Sequence, residues 1–143
     1  MFLGEFTYAL DDKGRLTLPA KLRHQLERIV VTRGLDGCLF VFSGERWAHF
    51  AENLDKALPI TQRGARSLNR FFYAGAADLA PDGQGRILIP SFLRDYADLK
   101  DEVVIIGANN RLELWNPERW KAILHDAESN AEEIAEKYGN ITI

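Results

Sequence analysis

Residues 12–23 read DKGRLTLPAKLR, and residues 83–94 read GQGRILIPSFLR. The two stretches share glycine, arginine, proline, leucine and arginine at five equivalent positions, and two further positions hold leucine in the first copy and isoleucine in the second. A second match lies further along, where residues 39–47 read LFVFSGERW and residues 112–120 read LELWNPERW. Because repetition of this kind marks a duplicated structural unit, we interpret the chain as two copies of one small module.

The repeats divide the chain into four segments. We place the first repeat at residues 1–50, a helical connector at 51–71, the second repeat at 72–123 and an acidic helical tail at 124–143. A module of about 50 residues buries too little apolar surface to be stable alone. We therefore expect the two halves to pack into one barrel-like core that unfolds in a single transition, and exchange of strands between them is one way to achieve this.

Each repeat has the pattern of a mainly β structure with short flanking helices, an α+β fold. Extended segments are predicted at residues 2–10 and 73–80, each followed by a cluster of turn-forming residues. Two apolar runs then flank a predicted hairpin turn, at 34–37 in the first repeat and at 107–110 in the second. A helix with its apolar residues on one stripe closes each repeat.

The side chains within these elements are mostly interpreted as core residues. Trp47 and Trp120 fall on the apolar stripes of the closing helices, so we expect them to be packed rather than available for base stacking. Cys38, the only cysteine, lies in an apolar run and is predicted to be a small buried hydrophobic residue.

The strand after each turn carries the candidate binding residues. Alternation that buries Leu16 and Leu18 directs Lys13, Arg15 and Thr17 to the opposite face. A two-stranded β-element fits the major groove of DNA, where arginine can donate two hydrogen bonds to guanine and lysine neutralises phosphate. The predicted DNA-binding residues are Lys13, Arg15, Thr17, Arg23, Arg86 and Arg94.

A structural interpretation of the same arginines carries equal weight. In that interpretation Arg15 and Arg86 pair with Asp12 or Asp82 and brace the turns instead of binding a ligand.

The two repeats are not equivalent in charge. The first 77 residues carry a net charge of +3, whereas the last 66 carry −6. The second repeat also has Gln84 where the first has Lys13, and Leu88 where the first has Thr17. If DNA is bound, we expect the first repeat to dominate the affinity.

The sequence gives little support for an enzyme. Gly83-Gln84-Gly85 begins like a dinucleotide-binding loop, but the third glycine is missing and a strand follows. The histidines, His24, His49 and His125, are scattered without metal-ligand spacing. We predict no catalytic residues, metal, cofactor or small-molecule substrate.

The location predicted from the sequence is the cytoplasm. No apolar stretch approaches the roughly 20 residues that span a bilayer. The N-terminus lacks the basic and apolar regions of a signal peptide.

The motifs resemble the MraZ family over essentially the whole chain, and that family is part of the wider AbrB-like (SpoVT-AbrB) group of bacterial transition-state regulators and antitoxins. The residues that carry the resemblance are Met1–Gly4, the Asp11–Arg15 turn with Pro19 and Arg23, and the Asp82–Arg86 turn with Pro90, Leu93, Arg94, Tyr96 and Ala97.

The resemblance implies a swapped-hairpin β-barrel formed within one chain by two AbrB-like repeats. It also implies homo-oligomeric rings that bind double-stranded DNA at short promoter repeats and associate with the nucleoid. The implied role is a transcription factor, often a repressor of the division and cell-wall gene cluster and of its own gene. The family's basic motif falls on Lys13, Arg15 and Arg23, and again on Arg86 and Arg94.

One alternative belongs to a different functional class. An AbrB-like scaffold or antitoxin would bind chiefly a protein partner, through the acidic tail and apolar helices. An exposed Lys13/Arg15 face favours DNA, and a face buried under another chain favours the scaffold. The sequence leaves open the operator, the number of subunits, the direction of regulation and any effector ligand.

Overall fold

The computed structural model describes residues 1–142 of the chain. Its strands are β1 Phe2–Ala9, β2 Arg15–Thr17, β3 Ile29–Arg33, β4 Leu39–Ser43, β5 Ala77–Leu79, β6 Arg86–Leu88, β7 Glu102–Asn109 and β8 Leu112–Trp115. Its helices are a 3-10 helix at Ala20–Gln25 and α-helices α1 Gly44–Ala57, α2 Arg63–Ala74, α3 Ser91–Ala97 and α4 Pro117–Lys137. The mixed α+β class predicted from the sequence is confirmed.

Six strands form one antiparallel sheet in the order β1-β7-β8-β4-β3-β5. The hairpins β3/β4 and β7/β8 each lie within one repeat, but the outer strands cross over. β1 pairs along its whole length with β7, from Phe2 opposite Asn109 to Ala9 opposite Glu102. β5 pairs with β3 of the first repeat. Each repeat therefore supplies an edge strand to the hairpin of the other, which is the exchange of strands that the small size of the modules favours.

The remaining two strands, β2 and β6, pair with each other and form a separate antiparallel ribbon. The six-stranded sheet ends at β1 and β5, and an isolated bridge between Leu10 and Leu16 joins it to the ribbon. Within residues 1–142 the sheet does not close on itself, so the structure does not show the β-barrel that the resemblance implies. The edge strands, β1 and the three-residue β5, lie at opposite ends of the strand order and do not pair with each other.

The two faces of the six-stranded sheet bury two different clusters. One face packs against the ribbon in an aliphatic core that includes Leu16, Ile87 and Val41. The other face packs against the helices in an aromatic cluster with Phe42 and Trp115 buried at its centre. Consecutive residues of β4 alternate between these clusters, as the two-residue period of a strand requires. The buried side of the ribbon therefore packs on the aliphatic core.

The packing predictions are confirmed, and two element boundaries are wrong. Trp47 and Trp120 pack against the aromatic cluster, and Cys38 is fully buried. The segment predicted as extended from Tyr73 is helical to Ala74, because the Tyr73 ring packs edge-on against Trp47 at 5.7 Å. The turn predicted from Gly107 begins later, since β7 continues to Asn109 opposite β1.

Candidate nucleic-acid interface

The ribbon strands are preceded by two turns of the same design. Gly14 and Gly85 adopt positive φ angles of 84° and 75°, which glycine reaches without steric cost. The amide of Gly14 donates to the carbonyl of Asp11 at 3.0 Å, and the amide of Gly85 donates to the carbonyl of Asp82 at 2.9 Å. Both turns are therefore closed by the same hydrogen bond, and each directs an arginine onto the ribbon.

The carboxylate of Asp11 organises the first turn. Its Oδ1 accepts hydrogen bonds from the amides of Lys13 at 3.0 Å and Arg15 at 2.7 Å. Its Oδ2 accepts a hydrogen bond from Nε of Arg15, also at 2.7 Å. The pKa of Asp11 lies below its ordinary value, chiefly because the carboxylate accepts the hydrogen bond from the Arg15 amide. The hydrogen bond from the Arg15 guanidinium lowers the pKa further.

Asp82 does the same in the second turn. Its Oδ1 accepts from the amides of Gln84 and Arg86, each at 2.9 Å, and its Oδ2 accepts from Nε of Arg86 at 2.8 Å. The Arg86 amide is the largest cause of a lowered pKa at Asp82. The bracing interpretation is correct for Arg86, and for Arg15 the partner is Asp11 rather than Asp12.

Bracing leaves part of each arginine available. The ion pairs use Nε, and among residues 1–142 no protein group accepts a hydrogen bond from the terminal nitrogens of Arg15 or Arg86. The Arg15 side chain is 31% exposed and that of Arg86 is 27% exposed. Each guanidinium is therefore fixed along one edge and open along the other.

The ribbon places four predicted residues on one surface. Leu16 faces Ile87 on the buried side, so their neighbours point outward. Thr17 lies opposite Arg86 in the register, and Arg15 lies opposite Leu88, which is 55% exposed. Lys13 is exposed in the first turn. We call the surface formed by Lys13, Arg15, Thr17, Arg86 and Leu88 the ribbon face.

The other two predicted residues lie off this surface. Arg23 is in the 3-10 helix and Arg94 is in α3. Nε of Arg23 donates to the carbonyl of Leu18 at 3.1 Å, and Nε of Arg94 donates to the carbonyl of Ile89 at 3.0 Å. Both side chains are partly buried, and their guanidinium groups lie against the turns, Arg23 at Gly85 and Arg94 at Gly14.

The partner of Arg15 predicted from the sequence is Asp12, whereas the structure shows Asp11 in that role. A signal for it existed, because Asp11 and Arg15 have the same four-residue spacing as Asp82 and Arg86. Since the repeats align at that spacing, the second pair identifies the partner in the first. The sequence comparison identifies Leu88 as the counterpart of Thr17 but does not predict an exposed apolar contact on the same face.

The remaining surface offers less chemistry in the part of the chain that the structure describes. His24, His49 and His125 are all exposed and lie on three different helices. No group of three histidine, cysteine or carboxylate side chains in residues 1–142 is arranged to hold a metal ion. The helices described also include none that is long and apolar enough to cross a membrane.

The chain matches one family model twice. The model described as "MraZ protein, putative antitoxin-like" matches residues 1–71 and again residues 72–139.

Named relatives match nearly the full length. A protein of Heliobacterium modesticaldum named "Transcriptional regulator MraZ" is 51% identical over 138 residues, which cover 96% of both chains. A protein of the same name from Halothermothrix orenii is 51% identical over 136 residues, or 94% of both chains. One from Limosilactobacillus reuteri is 50% identical over 137 residues, covering 95% of this chain and 96% of its own. The chain therefore belongs to the MraZ family, a family of transcriptional regulators and not of enzymes.

Proposed function

We propose that this chain regulates transcription by binding double-stranded DNA through the ribbon face. The observation that carries the proposal is the convergence of Arg15, Thr17 and Arg86 on the outer side of a two-stranded ribbon, with Lys13 exposed at its turn. A two-stranded ribbon has the width of the DNA major groove. Arg23 and Arg94 belong to the proposed interface as supports of its two turns.

The chemistry of the ribbon face suits the edges of bases. With Nε held by a carboxylate, the open edges of Arg15 and Arg86 can donate to O6 and N7 of guanine. Because each guanidinium is already oriented, less conformational entropy is lost on binding. Exposed Leu88, opposite Arg15, supplies an apolar contact for a thymine methyl group. Lys13 cannot donate the paired hydrogen bonds that arginine makes to guanine, and its ammonium group instead neutralises phosphate.

One chain binds DNA weakly in this proposal, because it offers few cations. We propose that copies assemble into a homo-oligomer, a ring, whose linked ribbon faces bind repeated promoter elements with avidity. Following the family resemblance, the targets are the division and cell-wall gene cluster and the regulator's own gene. The usual outcome is repression, in the cytoplasm and at the nucleoid.

Two helices support assembly through their charge. α2 carries Arg63, Arg66 and Arg70 and no acidic residue. The last twelve residues of α4, 126–137, carry five acidic side chains and one basic side chain, and nearly all of them are exposed. Exposed Ile134 adds an apolar contact on α4. A basic surface and an acidic one at different places on the same chain can pair head to tail between copies, which is the geometry of a ring.

The proposal is tested by titrating the protein against DNA from upstream of its own gene at two salt concentrations. Wild type is compared with Arg15→Ala and with Arg46→Ala, a matched control that removes the same charge from exposed Arg46 of α1, which is not part of the ribbon face. We expect Arg15→Ala to lose about 1–3 kcal/mol of sequence-specific binding and Arg46→Ala to bind like wild type.

Two results would contradict this proposal. Equal losses in both variants would mean that charge alone matters and that the ribbon face is not the site. The absence of salt-sensitive binding by folded wild type would favour the protein-binding scaffold instead, for which the exposed acidic half of α4 is the supporting feature.

A further inference from the structure

Arg23 and Arg94 each lie against the turn of the opposite repeat. Arg23 comes from the first repeat, and its guanidinium packs on Gly85 in the second turn. Arg94 comes from the second repeat and packs on Gly14 in the first turn. A methyl group added to Gly14 would lie 2.8 Å from both Nε and Cζ of Arg94. Equivalent positions in the two repeats therefore make the same contact crosswise, and glycine leaves the space for it.

A short chain of hydrogen bonds connects each arginine to the turn that it covers. Nε of Arg23 donates to the carbonyl of Leu18 at 3.1 Å, and the amide of Leu18 donates to the carbonyl of Gly85 at 2.9 Å. The equivalent bonds, 3.0 and 2.9 Å long, connect Arg94 to Gly14 in the other half. A single residue, Leu18 or Ile89, thus connects each arginine to the turn of the other repeat.

We infer that Arg23 and Arg94 are positioning residues, each of which holds the DNA-binding turn of the opposite repeat. The inference rests on the proposed function, in which both turns must face DNA together. A guanidinium suits this task because its flat face fits against a glycine while Nε donates along its edge. Lysine has the same charge, but its ammonium lacks the planar face and the Nε donor.

The crosswise contact has a consequence that a direct contact with DNA would not have. Arg94 belongs to the second repeat, which is expected to contribute less to DNA affinity, but the turn that it holds carries Lys13 and Arg15. Arg23 belongs to the first repeat, but the turn that it holds carries Gln84 and Arg86. Replacing Arg94 should therefore weaken DNA binding more than replacing Arg23. If the two arginines contacted DNA themselves, the order would be reversed.

Hydrogen exchange of the DNA-free protein tests the positioning role without relying on DNA binding. In Arg23→Lys, we expect the amides of residues 84–86 to exchange about three- to tenfold faster, the factor that corresponds to one lost hydrogen bond. The amides of residues 13–15 should be unchanged. Arg94→Lys is the matched control, since the same substitution should move the effect to residues 13–15 and leave 84–86 unchanged.

DNA titrations of the same variants complete the test. The affinity loss of Arg23→Lys should overlap with that of Arg86→Ala in a double-mutant cycle and add to that of Arg15→Ala. Faster exchange in the arginine's own repeat, or unchanged exchange in both turns, would overturn the inference. If exchange changes crosswise but wild type does not bind DNA, the positioning contact stands and the proposed function fails. If one variant does not fold, the other carries the same crosswise test.

Discussion

Asp11 and Asp82 show how one carboxylate can prepare an interface. Each aspartate uses one oxygen to hold two backbone amides of its turn and the other to hold Nε of an arginine. The turn and the guanidinium are therefore ordered by the same side chain. Because the carboxylates are solvent-accessible, their value lies in fixing direction more than in the strength of an exposed ion pair.

The charge of Asp11 should make stability depend on pH. Its pKa in the folded protein lies below the ordinary value of 3.8, mainly because of the Arg15 amide. The stabilisation is complete above the unfolded pKa and is lost as pH falls through the lower folded pKa. Asp11→Asn keeps a side-chain oxygen for the amides but removes the charge.

Urea unfolding of wild type and Asp11→Asn between pH 2 and pH 6 measures this effect. We expect the stability of wild type to fall more steeply below about pH 4 than that of the variant, since 3.8 is the ordinary aspartate pKa. Asp12→Asn is the matched control, because Asp12 is adjacent in the turn but exposed and without a hydrogen-bonding role among residues 1–142. Identical pH profiles for Asp11→Asn and wild type would show that the charge is unimportant.

At the residue scale, the sequence predicts local partners better than distant ones. The turn, the outward direction of Arg15 and the bracing of Arg86 all follow from spacing within one repeat. The contacts of Arg23 with Gly85 and of Arg94 with Gly14 do not, because each joins residues in different repeats. The repeat reveals that two similar units exist, but not which turn lies under which arginine.

At the scale of elements, strand β1 is held in the sheet by its pairing with β7. Gly107 of β7 faces the backbone of Leu3, and a methyl group at Gly107 would lie within 2.6 Å of Leu3 Cα. The sequence predicts that Gly107 begins a turn. Glycine in a strand equally marks a close approach of another backbone, and only the presence of β1 distinguishes the two. This is why the strand is longer than predicted.

The close contact at Gly107 predicts a cost for a single methyl group. Gly107→Ala should lower the free energy of unfolding by about 1–3 kcal/mol, because the backbone of Leu3 cannot move aside as a flexible side chain would. Gly64→Ala in α2 is the matched control, since the added carbon meets nothing within 4 Å. Alanine is also the better helix former there, by at most about 1 kcal/mol.

Chemical denaturation of both alanine variants measures the difference. Gly107→Ala should unfold at lower denaturant concentration than wild type, and Gly64→Ala at the same concentration or higher. A Gly107→Ala protein as stable as wild type would mean that β1 is not held as closely to β7 as the contact indicates.

For the whole molecule, the crosswise pairing makes neither repeat a complete unit. β1 of the first repeat pairs with β7 of the second, and the ribbon forms when β2 of the first repeat pairs with β6 of the second. The aliphatic core also takes residues from both halves. Mutual dependence of the halves was predictable from their small size and limited apolar surface. Which strands are exchanged was not, because the hydrophobic pattern identifies a strand without identifying its neighbour.

This arrangement predicts how the chain behaves when it is divided. Fragment 1–71 contains β1 without β7 and β2 without β6. Fragment 72–143 contains β7 without β1 and β6 without β2. Each fragment alone should lack a cooperative unfolding transition and stable amide protection. An equimolar mixture should recover both, because every missing partner strand is then supplied by the other fragment.

Calorimetry of the intact chain gives the companion measurement. One cooperative transition is expected, since a core shared by both repeats cannot melt in one repeat and remain in the other. Circular dichroism and hydrogen exchange of the two fragments, separately and mixed, should agree with it. Two transitions in the intact chain, or a fragment that folds alone, would show that the repeats are independent domains. The crosswise support of the ribbon face would then be a minor contribution to its rigidity, because each turn would already be stable within its own repeat.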